Sequence, residues 1–213
     1  ALGYSGRLET TDYFTTTLLY IGCNLTSGPC KSQKVRQAVA LAVDRKEIAE
    51  RILAGHGVPS PLPVHPTALG YDAELAQQWG QDLERAETLL NEDGWSVNEE
   101  GKLTRQRGAL TLRLIVNQDN TFKAAAAEEV AAALEKLGCE VALEKLSWED
   151  FMEALKKGEF DLYMGETALS ADFDLRSLLG PGGALNYTGF SDRETWELMD
   201  QYRKALGEER ETT

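Results

Sequence analysis

The chain has 213 residues, 42% of them hydrophobic and 27% charged, with a formal net charge of −13. This length and apolar content require a packed core in one large domain or two small ones and exclude a disordered chain. With 22 Lys and Arg against 35 Asp and Glu, the balance argues against nucleic acid, whose phosphates need clustered cations; the acidity is either a solvated surface or an acidic cleft for cationic ligands.

The segment from Ala1 to Phe14 lacks the basic start and apolar centre of a secretory leader. No apolar run approaches the roughly 18 residues of a membrane-spanning helix. Taken alone, both point to the cytoplasm. Residues 17 to 24, TLLYIGCN, read as a strand. Val35, Val39, Ala42, Ala49, Ile52 and Leu53 recur at helical spacing and predict one long helix over 32–54, with Ser32 as N-cap and Gly55 as its stop. Pro59, Pro61, Pro63 and Pro66 make 55–71 an extended surface crossing. Leu83, Ala86, Leu89 and Leu90 predict a short amphipathic helix over 82–93, stopped by Gly94, and Trp95 to Leu103 a hairpin around Glu100-Gly101.

The middle of the chain carries the clearest pattern. Leu110, Leu112, Leu114 and Val116 alternate as a strand. Phe122, Ala126, Val130, Ala133 and Leu137 then recur at helical spacing up to Gly138. Cys139, Val141 and Leu143 alternate again. Ser147 caps a helix carrying Trp148, Phe151, Met152 and Leu155, Gly158 ends it, and Phe160, Leu162 and Met164 alternate once more. Strand, helix, strand, helix, strand with right-handed crossovers predicts an α/β fold with a mostly parallel sheet flanked by helices. A Gly-rich loop, LLGPGGALNYTGFSD, follows, and then a helix over 191–206 with Trp196, Met199, Tyr202 and Leu206 inward.

The chain has no GxSxG, no phosphate-binding loop and no dinucleotide fingerprint. No acid–base carboxylate has an identifiable partner, so no catalytic residue and no cofactor are assigned. His56 and His65, both in the Pro-rich crossing, read as surface residues, with a nickel or zinc ligand as the sharper alternative, and no metal site is assigned. Cys23, Cys30 and Cys139 match no zinc spacing. Cys23 and Cys30 flank NLTSGP and could close a small loop where an export compartment permits a disulfide, while Cys139 reads as a buried, inert thiol. In an open parallel sheet, ligands lie beyond the carboxyl ends of the strands where strand order reverses. With strand 110–116 between its two neighbours, that crevice opens between Asn117–Asn120 and Glu166–Asp174.

The run "VRQAxxxAVDRKEI…G…P" from Val35 to Pro59 resembles the signature of the extracellular solute-binding proteins of family 5, the peptide- and nickel-type receptors of ABC importers. So do Leu169-Ser170-Ala171-Asp172-Phe173-Asp174, the later Asn186-Tyr187-Thr188-Gly189-Phe190-Ser191, and Tyr20 with Asn24 as a hinge-strand Y-x-x-x-N. The resemblance runs from about Tyr20 to Tyr202. It implies a type II periplasmic-binding-protein-like lobe excised from a longer chain. Residues 1–23 would be a crossing from a missing first lobe, 24–190 the ligand-binding lobe, and 191–213 a terminal helix and tail leading back. It also implies binding, not catalysis: a peptide or other small molecule is held in an interlobe cleft and delivered to ABC permease subunits outside the cytoplasm, with membrane attachment only through an anchor beyond this segment. Asp172 stands where peptide-binding members pair a carboxylate with the ligand's α-ammonium. Asn117, Gln118, Glu166, Leu169, Ser170, Phe173 and Asn186 complete the expected contacts.

There are departures from the family pattern. Leu169 replaces a frequent Trp, Leu175 a usual Pro, and Glu166 stands where some oligopeptide binders have a basic residue. Asp172 and Asp174 also suit a purely local role, capping the short helix DLRSLL. Asn24 is assigned to backbone hydrogen bonding at the crossing. Arg36, Asp44 and Arg45 are assigned to ion pairs within the helix or between lobes. A ligand-sensing module of a transcription regulator is the alternative to a transport receptor.

Overall fold

Alternating apolar residues in the middle of the chain build the sheet that carries the other elements. The computed structural model describes residues 15–106 and 108–205. In it, β5 (Thr111–Asn117), β6 (Glu140–Leu146) and β7 (Leu162–Ala168) run parallel, and β1 (Thr17–Cys23) pairs antiparallel with β7. The order is β1-β7-β5-β6, so strand β5 lies between its two parallel neighbours as expected. Helix α5 (Thr121–Lys136) links β5 to β6, and α6 (Trp148–Lys157) links β6 to β7. The first link steps outward by one strand and the second steps back past β5. Right-handed crossovers therefore place the two helices on opposite faces.

Two cores follow from this alternation. Leu112, Leu114, Val116, Leu162 and Met164 pack with α5, α1 (Gln33–Ala42) and α4 (Leu83–Glu92) on one face. Ile115 and Tyr163 pack with Phe151, Ala154 and Leu155 of α6 on the other. β5 is buried on both faces, as the central strand of a covered parallel sheet must be. The expected hairpin gains a third strand, giving a satellite sheet of β2 (Ser96–Val97), β3 (Leu103–Arg105) and β4 (Gly108–Ala109). Three short or terminal helices complete the chain: α3 (Ala73–Gln78), which Asp72 caps, α7 (Arg176–Leu179) and α8 (Arg193–Lys204).

The long helix expected over 32–54 is broken. α1 stops at Ala42 and Val43 turns extended. Asp44 Oδ1 then accepts from Glu47 N and starts α2 (Arg45–Glu47), which runs into a π-type turn over Ile48–Ile52. An Asp within an apolar repeat can face solvent or cap a new turn, and here it caps. Within the described residues Arg36 and Arg45 make backbone contacts in place of ion pairs along the helix. Arg36 Nη1 donates to the carbonyls of Cys30 and Lys31, and Arg45 Nη1 to that of Trp79. Ser32 stands at the N-cap, but its hydroxyl donates to Asp93 Oδ1. Phe122 and Trp148, expected inward, are 59% and 55% exposed in the first turns of α5 and α6. Leu134 instead of Ala133 fills the core. Trp196, Met199 and Tyr202 on α8 are only half-buried. The expectations for Leu206 and for residues 1–14 lie outside the described residues.

Strands β1 and β7 meet through reciprocal aromatic–glycine pairs. Tyr20 faces Gly165, Gly22 faces Tyr163, and the two rings meet edge to face at 5.8 Å. A methyl group on Gly22 would stand 2.1 Å from the Tyr163 ring. Gly22→Ala should therefore destabilise the chain by about 1–3 kcal/mol through overpacking. Urea unfolding reads this, and an unchanged midpoint would contradict the tight ring-on-glycine contact.

Candidate functional site

The carboxyl ends of β5 and β7 come out of the sheet side by side. Their register pairs Leu114 with Leu162 and Ile115 with Tyr163, and its continuation sets Asn117 beside Gly165 and Gln118 beside Glu166. Asn117 is 9% exposed, and its Oδ1 accepts from Asp119 N to turn the chain. Asn120 caps α5 by accepting from Lys123 N. Gln118 is exposed. Lys123, absent from the expected set, lies in the first turn of α5 with its side chain 17% exposed and Nζ 3.4 Å from Glu166 Oε2. The carboxyl ends of β5 and β7 thus carry a cation–carboxylate pair joining two elements. Nothing in the local sequence pattern links these residues, which meet only because β5 and β7 are neighbours.

Beyond β7, Leu169 is buried and pinned to the start of β1. Its N donates to Thr16 O, and Thr16 Oγ1 donates to Leu169 O at 2.5 Å. Ser170 is exposed, and Asp172 and Phe173 are half-buried. Ser170 Oγ donates to Asp172 Oδ1 at 2.5 Å, while the Tyr202 hydroxyl donates to the Asp172 carbonyl at 2.7 Å. Phe173 has φ 55, a left-handed conformation that costs a non-glycine residue free energy. The local role in α7 falls to Asp174. Its Oδ1 accepts from Arg176 N, and its carboxylate forms an ion pair with the Arg176 guanidinium, which holds it below the usual carboxylate range. The capping alternative therefore describes Asp174, whereas the Asp172 carboxylate is oriented by Ser170.

The structure does not bring Asn186 together with the other expected contacts. Its Nδ2 donates to Phe190 O and its Oδ1 accepts from Phe190 N, so its amide holds the Gly-rich loop together. The adjoining Tyr187 ring lies 6.4 Å from that of Tyr163, and Thr188 O accepts from Leu25 N. Those contacts are at the amino end of β7. A seven-residue strand spans about 20 Å, so Asn186 is at the opposite edge of the sheet from Asp172. The motif showed that the loop follows the strand but not the edge to which it returns.

The first and last described elements both reach these residues. β1 begins at Thr17 next to Leu169, and α8 ends just beyond Tyr202, which touches Asp172. His56 is exposed and His65 half-buried, its Nδ1 2.8 Å from Thr67 Oγ1. Among the described residues no cluster of three His, Cys, Asp or Glu could hold a metal ion, and no helix is long and apolar enough to cross a membrane.

Residues 6–184 match the family described as bacterial extracellular solute-binding proteins, family 5 Middle. The oligopeptide-binding protein AppA of Bacillus subtilis is 28% identical over 188 residues, which cover 85% of this chain and 35% of AppA. Heme-binding protein A of Haemophilus influenzae is 29% identical over 187 residues, covering 85% of this chain and 33% of the relative. The solved structure of Bacillus subtilis AppA in complex with a nonapeptide superposes with a TM-score of 0.79 at 25% identity, over 93% of this chain and 41% of that one. The chain thus spans about a third of the length of the curated relatives it matches.

Proposed function

This chain belongs to the bacterial extracellular solute-binding proteins, family 5, and from that premise we propose that it is one lobe of a receptor that grips a peptide between two lobes and delivers it to the permease of an ABC importer. Its fold is that of a type II periplasmic-binding-protein lobe, and the family consists of binding proteins, not enzymes. Members of the family work outside the cytoplasm. The match leaves the transcription-regulator alternative without support.

The observation that carries the proposal is the coincidence of crevice and crossings. β1 enters and α8 leaves beside Leu169–Asp172, at the same edge where Asn117 and Glu166 emerge. Hinges at that edge would swing a second lobe over these residues. Residues 17–190 then form the lobe, because β1, expected within a crossing, pairs with β7 along its whole length, and α8 leads away from it. The proposed contacts are Asn117, Gln118, Lys123, Glu166, Ser170, Asp172 and Phe173, with Leu169 buried beneath them. Asp172 holds the α-ammonium by a charge-assisted hydrogen bond, and Lys123 adds a cation beside Glu166. A peptide suits this mixture of signs, and AppA is both named and solved as a peptide binder.

A receptor carrying both lobes should gain several degrees in Tm with a saturating mixture of free peptides, because a ligand that binds only the native state stabilises it by mass action. An unchanged Tm with peptides, together with a rise for haem or a nickel chelate, would overturn the peptide assignment.

A further inference from the structure

Cys23 ends β1, and Cys30 lies in the 3-10 turn Pro29–Lys31. The loop between them is held in place without any covalent closure. Asn24 Oδ1 accepts from the amides of Thr26 and Ser27, Leu25 N donates to Thr188 O, and Gly28 adopts φ 68 to turn the chain back. Both side chains belong to one apolar cluster, in which Cys30 has no exposed surface. The two thiols lie close enough to perturb each other's ionisation and are not covalently joined. Cys23, half-buried, is among the residues lining a cleft of about 380 Å³ bounded by β1, α1 and the segment Gly57–Pro63, which makes it the more accessible of the two. Arg36 lines the same cleft and donates to the Cys30 carbonyl. The neighbouring Cys30 thiol, aided by the Arg36 charge, holds the Cys23 thiol below its ordinary range, which favours the nucleophilic thiolate.

We propose that Cys23 and Cys30 are a preformed dithiol that a small disulfide oxidant, of the oxidised-glutathione class, closes into an intrachain disulfide over Asn24–Pro29. Cys23 loses its proton to solvent, and its thiolate attacks one sulfur of the oxidant, breaking that S–S bond and expelling one thiolate. Cys30 gives its proton to the departing thiolate and attacks Cys23 Sγ, expelling the second thiolate, which takes a proton from solvent. The protein dithiol loses two electrons, the oxidant gains them, and two free thiols result. Cys139 stays out of the exchange. Burial pushes its thiol up to about 12, and it precedes β6, at the far edge of the sheet from β1.

The test uses this chain, reduced and then exposed to oxidised glutathione without denaturant. Trypsin leaves both cysteines in the single peptide Leu8–Lys31 and Cys139 in Leu137–Lys145. The first peptide should lose the mass of two hydrogens and resist alkylation, while Cys139 is alkylated once the chain is unfolded. Tm should rise by about 5–10 °C, as expected for closing a short loop in a chain of this size, and fall back with dithiothreitol. Cys30→Ala should abolish the mass loss and leave a glutathione adduct on Cys23. A wild-type Leu8–Lys31 peptide that remains fully alkylatable, that carries only glutathione adducts, or that is joined to Cys139 or to a second chain overturns the proposal.

Discussion

Asn24→Ala should lower the unfolding free energy by about 3 kcal/mol, a sum of several buried hydrogen bonds that net about 1 kcal/mol each and cost more when a partner is left stranded. Asn24 is 1% exposed at the end of β1. Its Nδ2 donates to the carbonyls of Gly158 and Phe160, both at 3.0 Å, and its Oδ1 accepts from Thr26 N at 2.9 Å and Thr26 Oγ1 at 2.7 Å. One amide therefore ties β1 to the turn between α6 and β7 and fixes the following loop. Asn24→Asp keeps the acceptor half but points a carboxylate at two carbonyls, so it should be at least as damaging. Urea unfolding under reducing conditions separates this effect from the state of the neighbouring thiols. A loss below about 1 kcal/mol for either variant would mean that water replaces the amide at little cost.

Asp172→Asn, in the receptor carrying both lobes, should weaken binding of a free-amine peptide by about 10- to 100-fold, the equivalent of losing one charge-assisted hydrogen bond in a closed cleft. Asn keeps the shape of the side chain and can still accept from Ser170 Oγ, the bond that orients Asp172. Thermal unfolding of both proteins without peptide separates the loss of charge from loss of structure. The N-acetylated form of the same peptide, which lacks the ammonium, should bind both proteins equally. Equal affinity of the free-amine peptide before and after substitution removes Asp172 from the ammonium site. Ligand contact would then rest on the Lys123–Glu166 side of the crevice.

The β5–α5–β6–α6–β7 core was legible because each of its signals is local. Alternation at Leu112 and Leu114, the Ser147 cap and the left-handed glycines Gly138 and Gly158 each act within a few residues. The position of β5 between its neighbours was an assumption that the sheet order bears out, since crossover handedness fixes the face each helix covers and not the order of the strands. The break in the first helix was not legible, since Asp44 suits a solvated helix face as well as an N-cap, and only the turn at Val43 decides between them. The site was half legible. The chain segments Asn117–Asn120 and Glu166–Asp174 were identified from strand order, but the Lys123–Glu166 pair is a tertiary contact with no sequence period. Asn186 lies apart from the other expected contacts because a motif read along the chain does not report which edge of the sheet a loop revisits. The exposure of Phe122 and Trp148 has a related cause. In the first turn of a helix above a strand end, a residue in phase with the core stripe can lie beyond the last layer of the core.

The central claim is that this lobe provides one side of a cleft and holds a ligand tightly only when a second lobe covers it. Calorimetric titration of one peptide into this chain alone and into the receptor carrying both lobes tests it most directly. On this account a second lobe supplies the other contacts and its closure excludes water, so the affinity of this chain alone should be lower by about 100-fold or more. Equal affinities for the two proteins would contradict the account, because the whole site would then lie within residues 1–213.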